Sequence, residues 1–220
     1  MISILEQNNM LLDISKRLKR KIEGFAIGGT AMMFHNLKDS TKDIDIVFTK
    51  QEDRKYFISA AREIGWTFLD AKLVYGERKN IPIMLKLVDE RLDLFLNEVI
   101  SFVFSEEMQK RAAIIRQFEK NLVIKIADYH DIILMKCATD RSKDIDDAKA
   151  IIENKEIKWD IIINEAKNQI LLDKEIAIME LGRFIEKLQD KGLKISDSIL
   201  DKLLILLEKQ IEERRKKFKS

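Results

Sequence analysis

Apolar positions recur at helical spacing over residues 3–20, where Ile4, Leu5, Leu11, Ile14 and Leu18 share one face and the segment ends in the basic run KRLKRK. A short apolar strand, Phe25-Ala-Ile, follows and stops at Gly28-Gly29; TAMMFHNL then resumes a helix. Asp43 to Phe48 alternates as a second strand. Thr49 and Glu52 fit a capping box that opens a helix over Phe57, Ile58, Ala61 and Ile64, and Gly65 ends it. Apolar segments at 66–68 and 73–75 come next. Residues 81–88 and 92–96, joined by DER, then read as a hairpin. From about residue 102 the spacing predicts helices over 104–118, 128–140, 144–153, 157–190 with a break, and 196–217. The pattern changes from mixed α/β to nearly all-helical near residue 125. The expected organisation is therefore a core of residues 1–125 and a helical region of 126–220, in an α+β class with a small mixed sheet.

Composition narrows the classes. With 220 residues, 46% hydrophobic and 35% charged, the chain has globular composition and length for a sizeable core. Forty basic against 38 acidic side chains give a net charge of +2, which does not announce an extensive nucleic-acid surface. Cys137 is the one cysteine, expected as a buried small hydrophobe, and no intrachain disulfide can form. No apolar run approaches the ~18 residues of a membrane span, and the N-terminus lacks a signal-peptide pattern, so the expected location is the cytoplasm. His35 and His130 have no paired His or Cys at ligand spacing, so zinc is not expected.

The chemistry-bearing stretch is FAIGGTAMMFHNLKDSTKDIDIVF, Phe25 to Phe48. On a strand, residues i and i+2 face one side, with Cα atoms about 6.5 Å apart, so Asp43 and Asp45 project together while Ile44, Ile46 and Phe48 fill the other face. Two carboxylates this close need a counter-charge, and a hard divalent cation is one remedy; a solvated edge strand is the plain alternative. Gly28 and Gly29 let backbone approach a ligand closely, and the helix start with the Thr30 hydroxyl suits an anion; a tight turn that needs only positive φ is the plain alternative there. A second constellation lies in KCATDRSKDIDD. Lys136, Arg141, Lys143, Asp144 and Asp147 form K-x4-R-x-K-D-x-x-D, in which Arg141 and Lys143 flank a helix start and Lys143–Asp147 is an i,i+4 pair. By itself this segment reads equally as helix-end electrostatics.

The stretch GGTAMMFHNLKDSTKDIDIVF resembles the signature of the nucleotidyltransferase superfamily related to DNA polymerase beta, a G-[GS]-[ST] turn followed by D-x-D. With K-x4-R-x-K-D-x-x-D downstream, it is similar to the branch of abortive-infection toxin-type nucleotidyltransferases and their uncharacterised relatives. The resemblance covers about residues 20–152; the turn is GGT where the toxins have a GS pair. It implies that Asp43 and Asp45 hold Mg²⁺ or Mn²⁺, with a third carboxylate from a later strand. Asp93 in RLDLFL is the candidate, with Asp89 and Glu90 as rivals in the turn. It also implies that Gly28, Gly29 and Thr30 contact an NTP, as do Lys136, Arg141, Lys143 and Asp147. The implied reaction moves an NMP to a hydroxyl of RNA, protein or a small molecule, with a toxin-like role. The alternative is a non-catalytic nucleotide- or metal-binding protein of the same fold, acting as a regulatory or antitoxin-like partner. The LLILL run at 203–207 is expected to pack among the C-terminal helices or to form a homodimer or partner seam. The terminal RRKKFKS is a solvated helix end or a polynucleotide contact.

Overall fold

The segment IDIVF buries Ile44, Ile46, Val47 and Phe48 completely, the environment of a strand with neighbours on both edges and packing on both faces. A computed structural model describes residues 1–139 and 141–217. Its elements begin β1 (Ile2–Ser3), α1 (Ile4–Ser15), β2 (Ile22–Ala26), α2 (Gly28–Phe34), β3 (Ser40–Thr41), β4 (Ile44–Phe48) and α3 (Gln51–Glu63). They continue with β5 (Thr67–Leu69), α4 (Lys72–Tyr75), β6 (Ile83–Leu87), β7 (Glu90–Leu96), β8 (Glu98–Val99), β9 (Phe102–Val103), α5 (Glu106–Arg111), β10 (Ile114–Phe118) and β11 (Leu122–Ile126). Helices α6 (Tyr129–Lys136), α7 (Ser142–Asn154), α8 (Trp159–Leu171), α9 (Ile176–Asp190) and α10 (Ser198–Lys217) complete the chain. Two compact units result: Met1–Ile100 with Phe104–Ile132, and Ser101–Val103 with the chain from Ile133 onward. The class is the expected one, an α+β arrangement with a mixed sheet and a helical C-terminal region.

In the first unit the sheet runs β10-β11-β2-β4-β7-β6-β5. β11 is parallel to β2 and β4 to β7, while the other neighbours in this row are antiparallel. Helix α3 lies on β2, β4 and β7 and sets Phe57 against Phe48, ring centroids 5.4 Å apart. Trp66 and Phe25 are buried in the same core. The second unit packs α8, α9 and α10 against one another and α7 against α9. Gln169 ties α8 to the Val103 backbone, accepting from its N–H at 2.9 Å and donating to its carbonyl at 2.8 Å. Cys137 is buried as expected, and burial pushes its thiol well above the ordinary range. Leu203 of LLILL is buried, whereas Leu204 and Ile205 of the same run are exposed.

Several expected elements differ. The predicted helix over 104–118 is a short α5 followed by the hairpin of β10 and β11; Glu119 at φ 46° turns the chain, and β-branched Ile114, Ile115, Val123, Ile124 and Ile126 suit the strands. The capping box at Thr49 and Glu52 does not form: Lys50 is the N-cap of α3 and no side chain caps it. A capping box occurs instead at Ser3 and Glu6, opening α1. That helix ends at Ser15, before the basic run, and Ile22 already belongs to β2. The β6–β7 pairing closes at Leu87 and Glu90, so the turn is Val88-Asp89, with Glu90 already in β7. Helix α6 ends at Lys136; residue 140, its expected end, lies outside the described residues, as does the end of the terminal basic run at 218–220. Among the described residues no helix is long and apolar enough to cross a membrane.

Candidate functional site

The glycine turn is built against the acidic strand. Gly28 sits at φ +54°, and a Cβ there would lie 2.8 Å from Oδ2 of Asp45. A Cβ on Gly29 would lie 2.5 Å from Oγ1 of Thr41. Both separations are inside van der Waals contact, so glycine is required at Gly28 by conformation and space together, and at Gly29 by space. Thr30 is fully buried, and its hydroxyl accepts from the Asp45 N–H at 2.8 Å and donates to the Asp43 carbonyl at 3.4 Å. One side chain thus fixes the turn to the backbone of both D-x-D aspartates.

Register supplies the third carboxylate. β4 and β7 run parallel with Asp45 opposite Asp93, which joins carboxylates 48 positions apart in the chain on neighbouring strands. Asp93 is fully buried and both its oxygens are engaged: Tyr75 donates its hydroxyl to Oδ2 at 2.6 Å and Arg91 donates Nε–H to Oδ1 at 2.9 Å. Arg91 also donates an Nη2–H to Oδ2 of Asp43, and Thr41 reaches Oδ1 of Asp43 at 3.5 Å. Burial, with Asp43 adding to it, raises the Asp93 carboxyl to about 6 even though Arg91 and Tyr75 pull the other way. Burial and the surrounding carboxylates push the Tyr75 phenol far above its ordinary value, so it serves as a proton donor to Asp93. The Arg91 guanidinium is raised despite burial, because Asp93, Asp43 and Asp45 all face it.

Asp43, Asp45 and Asp93 are therefore gathered at one place, and Asp89, a rival for the third position, is in the turn. Among the described residues no group of three His, Cys, Asp or Glu side chains stands ready to hold a metal ion; here an arginine bridges two of the three carboxylates. The donor set nevertheless fits a hard divalent cation in kind, three carboxylates with Asp43 and Asp45 only half-buried. Arg91 and Tyr75 escaped the sequence reading. The signal for Arg91 was present: R-L-D repeats the i,i+2 spacing of D-I-D, so Arg91 and Asp93 share a strand face. Tyr75 carried no comparable signal, since α4 is a single turn that begins after β5.

The second constellation is a separate network within the second unit. Lys136, its side chain 8% exposed, donates to Oδ1 of Asp144 at 2.8 Å and to Oδ2 of Asp147 at 2.5 Å. Thr139 donates to Oδ2 of Asp144, and Arg141 reaches the same oxygen through Nε at 2.8 Å. Burial alone would lower the Lys136 ammonium, but the two aspartates raise it. Burial alone would raise the Asp144 carboxyl, but Lys136, Arg141 and Thr139 hold it below the usual range. The Arg141 side chain is more than half exposed and Lys143 half-buried. Arg141, Ser142, Lys187 and Lys191 line a cleft of about 440 Å³ in this unit. The histidines are bonded inside the first unit, His35 to the Ala127 carbonyl at 2.8 Å and His130 to Asp128 at 2.7 Å.

No family model matches the chain and no curated protein matches it. Among solved structures it is similar in fold to two determinations of ANT(2'')-Ia, an antibiotic-resistance factor. The one in complex with adenylyl-2''-tobramycin has 13% identity, covers 82% of this chain and 98% of that one, and gives a TM-score of 0.46. The solution structure has 14% identity, covers 66% of this chain and 82% of the other, and scores 0.42. A protein from H. pylori, provisionally described as a nucleotidyltransferase, has 13% identity, covers 96% of each chain and scores 0.38.

Proposed function

We propose that the protein is a nucleotidyltransferase that moves a nucleoside monophosphate from an NTP to an acceptor hydroxyl, with release of pyrophosphate. The observation that carries this reading is the Asp45–Asp93 register beside Asp43, at a glycine turn packed directly against the acidic strand. A carboxylate cluster beside a strand-to-helix turn is what an incoming triphosphate with its counter-ions requires. Asp43 and Asp45, joined by Asp93, would hold Mg²⁺ or Mn²⁺, which when bound neutralises phosphate charge and eases deprotonation of the acceptor hydroxyl. The chain's own residues position and balance charge. Thr30 fixes the Asp43–Asp45 backbone, and Tyr75 keeps Asp93 oriented in a buried site. Gly28 and Gly29 lend backbone to the NTP. In the second unit Arg141 and Lys143 are assigned to nucleotide phosphates, and Lys136 with Asp147 is assigned to holding the start of α7 in place.

The second reading is a binding protein that takes nucleotide or metal without turnover, as a regulatory or antitoxin-like partner. The Arg91 bridge favours it, because a cation of the chain itself already stands between Asp43 and Asp93. An assay with each α-labelled NTP, Mg²⁺ or Mn²⁺, and total RNA or the chain itself as acceptor separates the two. Transfer by the wild type, lost in Asp45→Asn and Asp93→Asn, is expected. Transfer that survives both substitutions sinks the assignment of these carboxylates, and saturable NTP binding without transfer to any acceptor supports the binding protein. The exposed residues of LLILL are proposed as a homodimer or partner seam.

A further inference from the structure

We propose that Arg91 is a resident counter-cation that joins Asp43 to Asp93 in the metal-free protein and must be displaced when a divalent ion enters, so that this one side chain sets how tightly the site takes metal. The inference rests on the metal-dependent reading above and concerns a residue that reading does not use. Arg91 stands two positions before Asp93 on β7, so its side chain emerges on the same face as that carboxylate. It forks between two acceptors, Oδ1 of Asp93 through Nε at 2.9 Å and Oδ2 of Asp43 through Nη2. The remaining Asp93 oxygen belongs to Tyr75 at 2.6 Å. Each of these oxygens keeps a second lone pair, but an ion placed on Asp93 or between Asp43 and Asp93 meets the positive charge of Arg91 at the same carboxylates, so the two cations compete for them.

Removal of Arg91 without replacement leaves two carboxylates, one of them fully buried, short of their shared cation, so the bridge stabilises the empty cluster. A guanidinium stays charged at all accessible pH, so no change of pH removes this competitor. Its side chain is 21% exposed, which gives the head a route towards solvent when an ion takes its place. Because each state of the cluster needs a cation, Arg91 and the metal are alternatives, and the difference between them defines the apparent metal affinity.

The test uses the full chain stripped with EDTA and titrated with Mn²⁺ alone, without nucleotide. Free Mn²⁺ is read by electron paramagnetic resonance and the unfolding midpoint by circular dichroism. Arg91→Met should bind Mn²⁺ at least about tenfold more tightly than wild type, the direction expected when a competing cation is removed. In EDTA it should melt below wild type, and Mn²⁺ should restore it by a larger shift than wild type shows. If Arg91→Met binds Mn²⁺ no better than wild type while Asp45→Asn abolishes binding, the role given to Arg91 is wrong and the metal site stands. If neither wild type nor Arg91→Met shows saturable binding, the metal-dependent reading fails and takes this inference with it. Should Arg91→Met not fold, Arg91→Gln serves, since it keeps a polar stem and removes the positive charge. Its Mn²⁺ affinity should also exceed that of wild type, and an affinity equal to wild type overturns the proposal.

Discussion

Substitution of Gly28 by alanine tests whether the glycine turn braces Asp45. Two effects add at this position. An alanine at φ +54° enters the left-handed region, which costs a non-glycine residue about 1–2 kcal/mol. Its Cβ would also lie 2.8 Å from Oδ2 of Asp45, so either the turn or the carboxylate must move, an overpacking cost of about 1–3 kcal/mol. Gly65 provides the control: it has φ +100° after the end of α3, and its would-be Cβ meets only the Leu87 side chain at an ordinary 3.5 Å, so Gly65→Ala carries the conformational term alone. Gly28→Ala should therefore lose about 2–5 kcal/mol and Gly65→Ala about 1–2 kcal/mol. The chain has two tryptophans, and Trp66 is buried in the first unit, so urea unfolding followed by fluorescence in a Trp159→Phe background reports that unit. Equal losses in the two variants would refute the contact between the turn and Asp45. A larger loss in Gly28→Ala, together with weakened Mn²⁺ binding, is the result expected of a brace.

Two further outcomes concern the second unit. Lys136→Met leaves Asp147 and Asp144 without their shared ammonium; because Asp144 keeps Arg141 and Thr139, the loss should be near the lower end of that for a broken buried pair, about 3 kcal/mol, and urea unfolding showing under about 1 kcal/mol would refute it. Acid unfolding gives the second. The Asp144 carboxyl is lowered in the folded chain, so its contribution is complete above the unfolded value of 3.8 and is lost as pH falls through the lower folded value. Asp144→Asn should flatten the acid limb of a stability–pH curve below about pH 4, and an unchanged limb counts against the network.

What could be read from the sequence was what is local. Gly28-Gly29, Asp43 and Asp45 were legible because a turn and an i,i+2 pair are decided within a few residues. Asp93 was legible from its leucine neighbours, but its place opposite Asp45 was not, because that depends on β4 and β7 becoming parallel neighbours. Arg91 had the same alternation as Asp93, yet paired carboxylates on a strand do not by themselves distinguish a bound metal ion from a side-chain cation two residues away. The hairpin of β10 and β11 stands where a helix is expected because Phe104, Met108 and Ala112 at i,i+4 spacing lead into a β-branched run, and its turn has Glu119 at positive φ where glycine or asparagine is the usual marker. In the second unit the i,i+4 spacing of Lys143 and Asp147 was local, whereas the bond from Lys136 to Asp147, eleven positions apart and across a helix junction, was not.

The two acidic clusters differ in a way that bears on function. Burial works against ionisation in both. In the second unit the cations win, and Asp144 ends below its ordinary range with Lys136 and Arg141 on its oxygens. In the first unit burial wins, and Asp93 ends at about 6 although Arg91 and Tyr75 are bonded to it. Asp144 thus belongs to a network whose charges are already answered, as in a structural ion pair, whereas at Asp93 the cost of burial outweighs the two donors bonded to it. An added divalent cation should discriminate between them. Millimolar Mn²⁺ is expected to raise the unfolding midpoint reported by Trp66 and to leave unchanged the one reported by Trp159 in a Trp66→Phe background, since a ligand stabilises only the unit that binds it. A shift in the Trp159 transition alone would reverse the assignment and place the cation-hungry cluster in the second unit.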